Sequence, residues 1–108
     1  MSKEALMTND EGGRPAFDLE ERTVRFGESV VRFARLLPNT AVTDPLIRQV
    51  VRSATSIGAN YCEADDAGSR KEFRYRISLC KREARETKHW LRMIAAASPD
   101  SLTETRKL

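Results

Sequence analysis

Six basic residues, Lys71, Arg74, Lys81, Arg85, Lys88 and Arg92, recur at steps of three, seven, four, three and four, broken only at Ser78. On a helix this spacing lines them along one side. Each long stem then packs beside the apolar seam while its charged end reaches for a phosphate. From Arg70 to Arg92 nine basic residues face three acidic ones, Glu72, Glu83 and Glu86, a local excess of +6 in a chain whose net charge is +3. Aromatic residues are nearly absent from that side, which predicts contact with a phosphate backbone and no base readout. The competing reading is a solvated helix face, its charges paired with Glu83, Glu86 or acids of a neighbouring subunit.

A second group, Ser56, Asn60 and Glu63, stands at i, i+4 and i+7 beside an apolar seam. A carboxylate there needs a cationic or hydrogen-bonding partner, for which arginines of the next helix or of another subunit are the candidates. With Glu83 and Glu86 these residues make a candidate polar network that fixes helix register. Burial would raise the Glu63 pKa and an arginine partner would lower it.

Catalytic chemistry finds less support. Glu86 and His89 spell Glu-x-x-His, half the ligand set with which helical bundles hold two metal ions, but His89 is the only histidine of the chain. A Cys or Ser nucleophile would have to share that same base. Cys62 and Cys80 lack CxxC spacing and are expected as reduced core residues, too far apart along the hairpin for a disulfide. Gly12-Gly13 precedes no strand and Gly58 lies within a helical pattern, so no phosphate loop is present. The expectation is a non-enzymatic protein without metal or cofactor.

The elements that must position these groups are helical. Over 108 residues the composition is 40% hydrophobic, 32% charged and 6% aromatic with 5 Gly and 4 Pro, too apolar for disorder and too poor in glycine for a turn-rich β fold. Residues 1–15 show no periodicity and are expected as a disordered leader ahead of one domain over 16–108. The first helix runs from about Phe17 to Leu37 on a seam of Leu19, Thr23, Phe26, Val30, Phe33 and Leu37, and Pro38 stops it.

Asp44 and Pro45 predict the start of the second helix, with Asp44 as the cap. Its seam is Ile47, Val50, Ala54, Ile57, Tyr61 and Ala64, and Gly68 is expected as a left-handed terminus. Ser69-Arg70-Lys71-Glu72 is a capping box, so the second and third helices form a tight antiparallel hairpin that sets Cys80 opposite about residue 56. The third helix carries seven charge-free positions, Phe73, Ile77, Cys80, Ala84, Thr87, Leu91 and Ile94, and extends to about Ala97. Ser101-Leu102-Thr103-Glu104 then opens a fourth helix with barely a turn before Leu108, so the apolar surface left over is covered by a partner chain or belongs to a shortened sequence, and either reading predicts self-association. No 18-residue uncharged run and no apolar block near Met1 occur, so a cytoplasmic chain is expected.

Two segments carry a resemblance. Arg52-Ser53-Ala54-Thr55-Ser56-Ile57-Gly58-Ala59-Asn60-Tyr61-Cys62-Glu63 resembles the Ser-Ile-x-x-Asn-x-x-Glu signature of the 23S rRNA-intervening-sequence family of bacterial four-helix bundle proteins. Lys71-Glu72-Phe73 and Glu83-Ala84-Arg85-Glu86-Thr87-Lys88-His89-Trp90-Leu91 are similar to that family's third helix in its Glu-Ala-x-Glu-Thr-x-x-Trp-Leu form. The resemblance covers roughly residues 17–94. It implies an up-down bundle assembled into a ring, usually a pentamer, with no established enzymatic activity. Relatives include the accessory protein of diversity-generating retroelements, a basic ring that binds nucleic acid and a reverse transcriptase. From charge and resemblance together, the expected function is binding of structured RNA, more than DNA, by a homo-oligomer through Lys71, Arg74, Lys81, Arg85, Lys88 and Arg92. The alternative is a protein interaction adaptor, for example with a reverse transcriptase.

Overall fold

The computed structural model describes residues 18–98, and within them the fold is all-α. Three helices follow in order, α1 (Leu19–Arg35), α2 (Thr43–Asp65) and α3 (Arg70–Ala97). The leader expected over 1–15 and the fourth-helix start expected at Ser101 lie outside the described residues. Among those residues, no helix is long and apolar enough to cross a membrane.

Local chemistry sets the ends. Asp18 caps α1 by accepting from the Glu21 amide at 3.3 Å, and Arg32 and Arg35 sit in its last turn, where the helix dipole favours cations. The start of α2 differs from expectation. Asp44 lies inside its first turn, and the capping falls to a reciprocal threonine pair. The Thr43 amide donates to Thr40 Oγ1 at 3.0 Å, the Thr40 amide donates to Thr43 Oγ1 at 2.9 Å, and the buried Thr43 hydroxyl also donates to the Pro38 carbonyl at 2.6 Å. This is a capping box with threonine in place of glutamate at its third position. Ser69 caps α3 as its sequence predicts, accepting from the Glu72 amide at 3.1 Å, while Glu72 reaches back to the Gly68 amide at 3.0 Å. Gly68 itself does not take the left-handed conformation expected of it. The helix ends instead at Asp66, whose amide donates to the Cys62 carbonyl.

Helix α2 is the middle element. Against α1 it pairs Gly27 with Ala54 and Thr55, and Gly58 with Thr23. Against α3 it pairs Ser53 with Thr87 and Ile57 with Cys80. In both pairings one number rises as the other falls, so both neighbours run antiparallel to it. Helices α1 and α3 each pack on α2 and scarcely on each other, so the three lie nearly in one layer. The core gathers where the end of α1, the start of α2 and the end of α3 converge: Val30, Phe33, Leu37, Val50, Ala54 and Ile94. At the hairpin end fewer helices meet, and Phe73 at the start of α3 is left 43% exposed.

The α1–α2 approach is close because glycine faces it from each side. A methyl group at Gly58 would stand 3.4 Å from Thr23 Oγ1 and 3.5 Å from the Thr23 carbonyl carbon, ordinary contact with no room beyond it. Gly58→Ala is therefore expected to stabilise the protein by up to about 1 kcal/mol through lower chain entropy in the unfolded state. Gly58→Val, whose extra methyls press on the Thr23 backbone, should destabilise it. Urea unfolding of both variants checks this; two destabilised proteins would contradict the contact geometry.

Candidate nucleic-acid interface

The rotation of α3 about its own axis decides which residues it presents to solvent, and polar groups set that rotation. The Thr87 hydroxyl lies 2.9 Å from Ser53 Oγ and 2.8 Å from the Glu83 carbonyl, and both side chains are sealed from water. One turn away, Arg52 extends from α2 and donates to both Glu83 carboxylate oxygens at 3.3 Å and, through its other nitrogen, to Glu86 Oε1. Glu83 is buried, its carboxylate covered by this guanidinium. Burial works against the charge of Arg52, but the hydrogen bonds and charges of Glu86 and Glu83 outweigh it and hold the Arg52 pKa above its ordinary value.

The candidate polar group of the sequence is thereby divided. Glu83 and Glu86 join Arg52. Ser56 donates to the Arg52 carbonyl at 2.6 Å and Asn60 to the Ser56 carbonyl at 3.0 Å, so both spend their donors within α2, while Glu63 is exposed. Arg52, Ser53 and Thr87 are the residues that sequence reasoning overlooked. The signal was available in the hairpin register, which sets residues 52 and 53 opposite about residue 83, one turn from Thr87, and places an arginine within reach of two glutamates at i and i+3.

Thr87 and Ile94 of the expected stripe are buried and Ile77, Cys80 and Leu91 half-buried, but Glu83 is buried beside them, so the packed side of α3 is shifted toward Glu83 from the line expected. Ala84, assigned to the seam, is exposed, and the charge-free stripe meets α2 along one edge only. The basic residues consequently do not flank the seam. Lys71, Arg74, Lys81, Arg85, Lys88 and Arg92 are all exposed, on the side of α3 that faces away from α2. Glu83 and Glu86 bend toward Arg52, and among the described residues no ion pair involves any of the six.

Arg85, Lys88 and Arg92, together with His89 and Met93, surround a hollow of about 320 Å3. Two ring side chains of α3 lie exposed near these cations. Tyr75 is 58% exposed, one residue beyond Arg74, with the Arg76 guanidinium 5.8 Å from its ring centre. His89 stands exposed against Trp90, their ring centres 4.8 Å apart at 72°.

The remaining reactive groups are dispersed. Cys80 is half-buried, donates to the Ile57 carbonyl at 3.5 Å, and has its thiol pKa pushed up by burial, which disfavours a nucleophilic thiolate. Cys62 is exposed, contrary to the expected core position, and its thiol lies 3.7 Å from Glu20 Oε1. Neither cysteine forms a disulfide. Glu86 is engaged by Arg52, and among the described residues no group of three or more His, Cys, Asp or Glu could hold a metal ion. A second concavity, about 380 Å3 between α1 and α2, is walled by small and apolar groups including Val24, Gly27, Val31 and Ala59. It carries none of the basic stripe.

Comparison with known proteins adds two similarities. The profile of the 23S rRNA-intervening sequence protein family matches residues 17–106, which take in all three helices. A crystal structure of a protein of unknown function from the S23 ribosomal protein family of Bacteroides thetaiotaomicron superposes with a TM-score of 0.68 at 31% identity, over 74% of each chain. No curated protein matches the chain.

The two carboxylates that share Arg52 differ in burial, and so must the cost of losing each interaction. Arg52→Ala strands the buried Glu83 carboxylate and is expected to cost about 2–3 kcal/mol. Glu86→Ala removes a largely solvated pair and should cost at most about 1 kcal/mol. Equal losses in urea denaturation would contradict the asymmetry.

Proposed function

We propose that this chain, which belongs to the 23S rRNA-intervening sequence protein family, is a non-catalytic, self-associating helical module that binds structured RNA through the outward face of α3. One observation carries this reading. Six exposed cations line that face while the acids of the same stretch are engaged elsewhere, Glu83 and Glu86 by Arg52 and Glu72 by the Gly68 amide. A phosphate backbone can therefore meet these charges without first displacing an internal partner, and counterions released from it supply the driving force. Fixing the cations on one rigid helix holds their spacing constant, which suits the regular phosphate rows of a folded RNA better than a flexible tail would.

Self-association has separate support. Phe73 and Ala84 lie exposed on the charge-free stripe of α3, and Val24 and Val31 are exposed on α1, so the layer leaves apolar surface for another chain to cover. Copies of the basic face repeated in an oligomer would multiply the affinity of each. The apolar groove between α1 and α2 favours a second reading, an adaptor that binds a protein partner. Salt separates the two, because apolar docking survives ionic strengths that abolish phosphate contacts.

The test is binding of the purified protein to a structured ribosomal RNA fragment across a salt series, alongside the double variant Arg85→Glu, Lys88→Glu. Both positions are exposed, so the fold and mass in solution should not change. Affinity is expected to fall at least tenfold, and the salt slope to shrink by about two. Unchanged affinity would refute the interface.

A further inference from the structure

We infer that the hollow bounded by Arg85, Lys88, His89, Arg92 and Met93 holds one unpaired nucleotide of an RNA strand, its phosphates on the cations and its base stacked on the His89 ring. The inference rests on the RNA-binding reading above and specifies what part of an RNA the face selects.

The geometry supplies the three things such a site requires. The first is shape: long side chains of α3 stand around an open hollow of about 320 Å3 on the helix surface, into which a flat group can settle. The second is charge. Arg85, Lys88 and Arg92 stand at i, i+3 and i+7 of one helix and converge on that hollow, with no carboxylate in its lining. The third is a rigid π surface. His89 is exposed, and its ring meets Trp90 edge to face, at 4.8 Å between centres and 72° between planes. The proposal places a base against the part of the exposed imidazole that Trp90 does not cover. Trp90, packed against the core, keeps the imidazole from swinging away. Met93, 37% exposed at the rim, adds a polarizable and adaptable thioether that suits a base of any identity.

This arrangement discriminates by strandedness. In an A-form duplex the bases are stacked on one another and the major groove is too narrow for side chains, so a helix surface meets phosphates alone. A loop or bulge can splay a base onto a ring, and such stacking strengthens binding without regard to sequence. Lys71, Arg74 and Lys81, further along α3, then serve the flanking backbone.

Trp90 is the only tryptophan of the chain and touches the proposed platform, so its emission reports the event. Labelled single-stranded RNA and a duplex of equal length are titrated at fixed salt into wild-type protein, His89→Ala, His89→Phe, and Arg85→Glu, Lys88→Glu. Single strands are expected to change Trp90 emission on wild type. His89→Ala should weaken single-strand binding roughly tenfold and leave duplex binding as it was, and His89→Phe, which keeps a ring, should restore most of the loss. Equal affinity of wild type and His89→Ala for single strands overturns the nucleotide site. So does a loss that is the same for duplex and single strand, or that His89→Phe fails to rescue. If in those cases Arg85→Glu, Lys88→Glu still weakens binding, the RNA interface stands without this site. If wild type binds neither RNA, both fall together.

Discussion

The hydroxyl contact between Ser53 and Thr87 is the constraint from which the orientation of the proposed RNA-binding surface follows. Both groups are sealed from water, where a hydroxyl without a partner costs about 1–3 kcal/mol. Turning α3 by a single residue would swing Thr87 through about 100° and break this contact, leaving each hydroxyl only a carbonyl of its own helix, Glu83 for Thr87 and Val50 for Ser53. Arg52 reinforces the same rotation one turn away, since Glu83 is buried and its carboxylate pairs with that guanidinium. The packed side of α3 is thus dictated by polar satisfaction as much as by apolar burial. Its opposite side, with the six cations, faces solvent as a consequence. The same contacts withdraw Glu83 and Glu86 from the cationic face, so one arrangement both orients that face and leaves its charge uncancelled.

The rest of the molecule serves that hairpin. Glycines 27 and 58 let α1 settle closely on α2, and the core shared by Val30, Phe33, Val50 and Ile94 ties the three helices together at one end. With α1 and α3 packed on α2 and scarcely on each other, the described helices cannot bury both flanks of every helix. The uncovered flank of α3, with Phe73 and Ala84, and the uncovered groove beside Val24 and Val31 are the physical counterpart of the self-association proposed for the chain.

Much of this was legible from the residue order. Periodicity located three helices to within a few residues, and the Ser69–Glu72 box fixed a hairpin whose register set Cys80 opposite about residue 56, against an observed contact at Ile57. The rotation of α3 was not legible. Seven charge-free positions make a stripe broader than α2 alone can cover, and periodicity cannot say which edge of the stripe is packed. The answer lay in polar residues that hydropathy assigns to the surface, Glu83 above all. Ser56 and Asn60 misled for the complementary reason: in a helix their side chains can satisfy themselves on carbonyls of the preceding turn, so a helical spacing of polar residues does not require a partner across the interface. The Thr40–Thr43 cap escaped notice because its third residue is threonine where glutamate is the usual signal.

The central claim is that RNA lies along the outward face of α3, and lysine footprinting tests it most directly. Lys71, Lys81 and Lys88 are exposed and spread along most of the helix, so each can be acetylated in the isolated protein and counted by mass spectrometry. With saturating structured RNA the account predicts that all three become protected together, and that protection vanishes as salt is raised. Equal acetylation of all three with and without RNA, under conditions where RNA is bound, would contradict it.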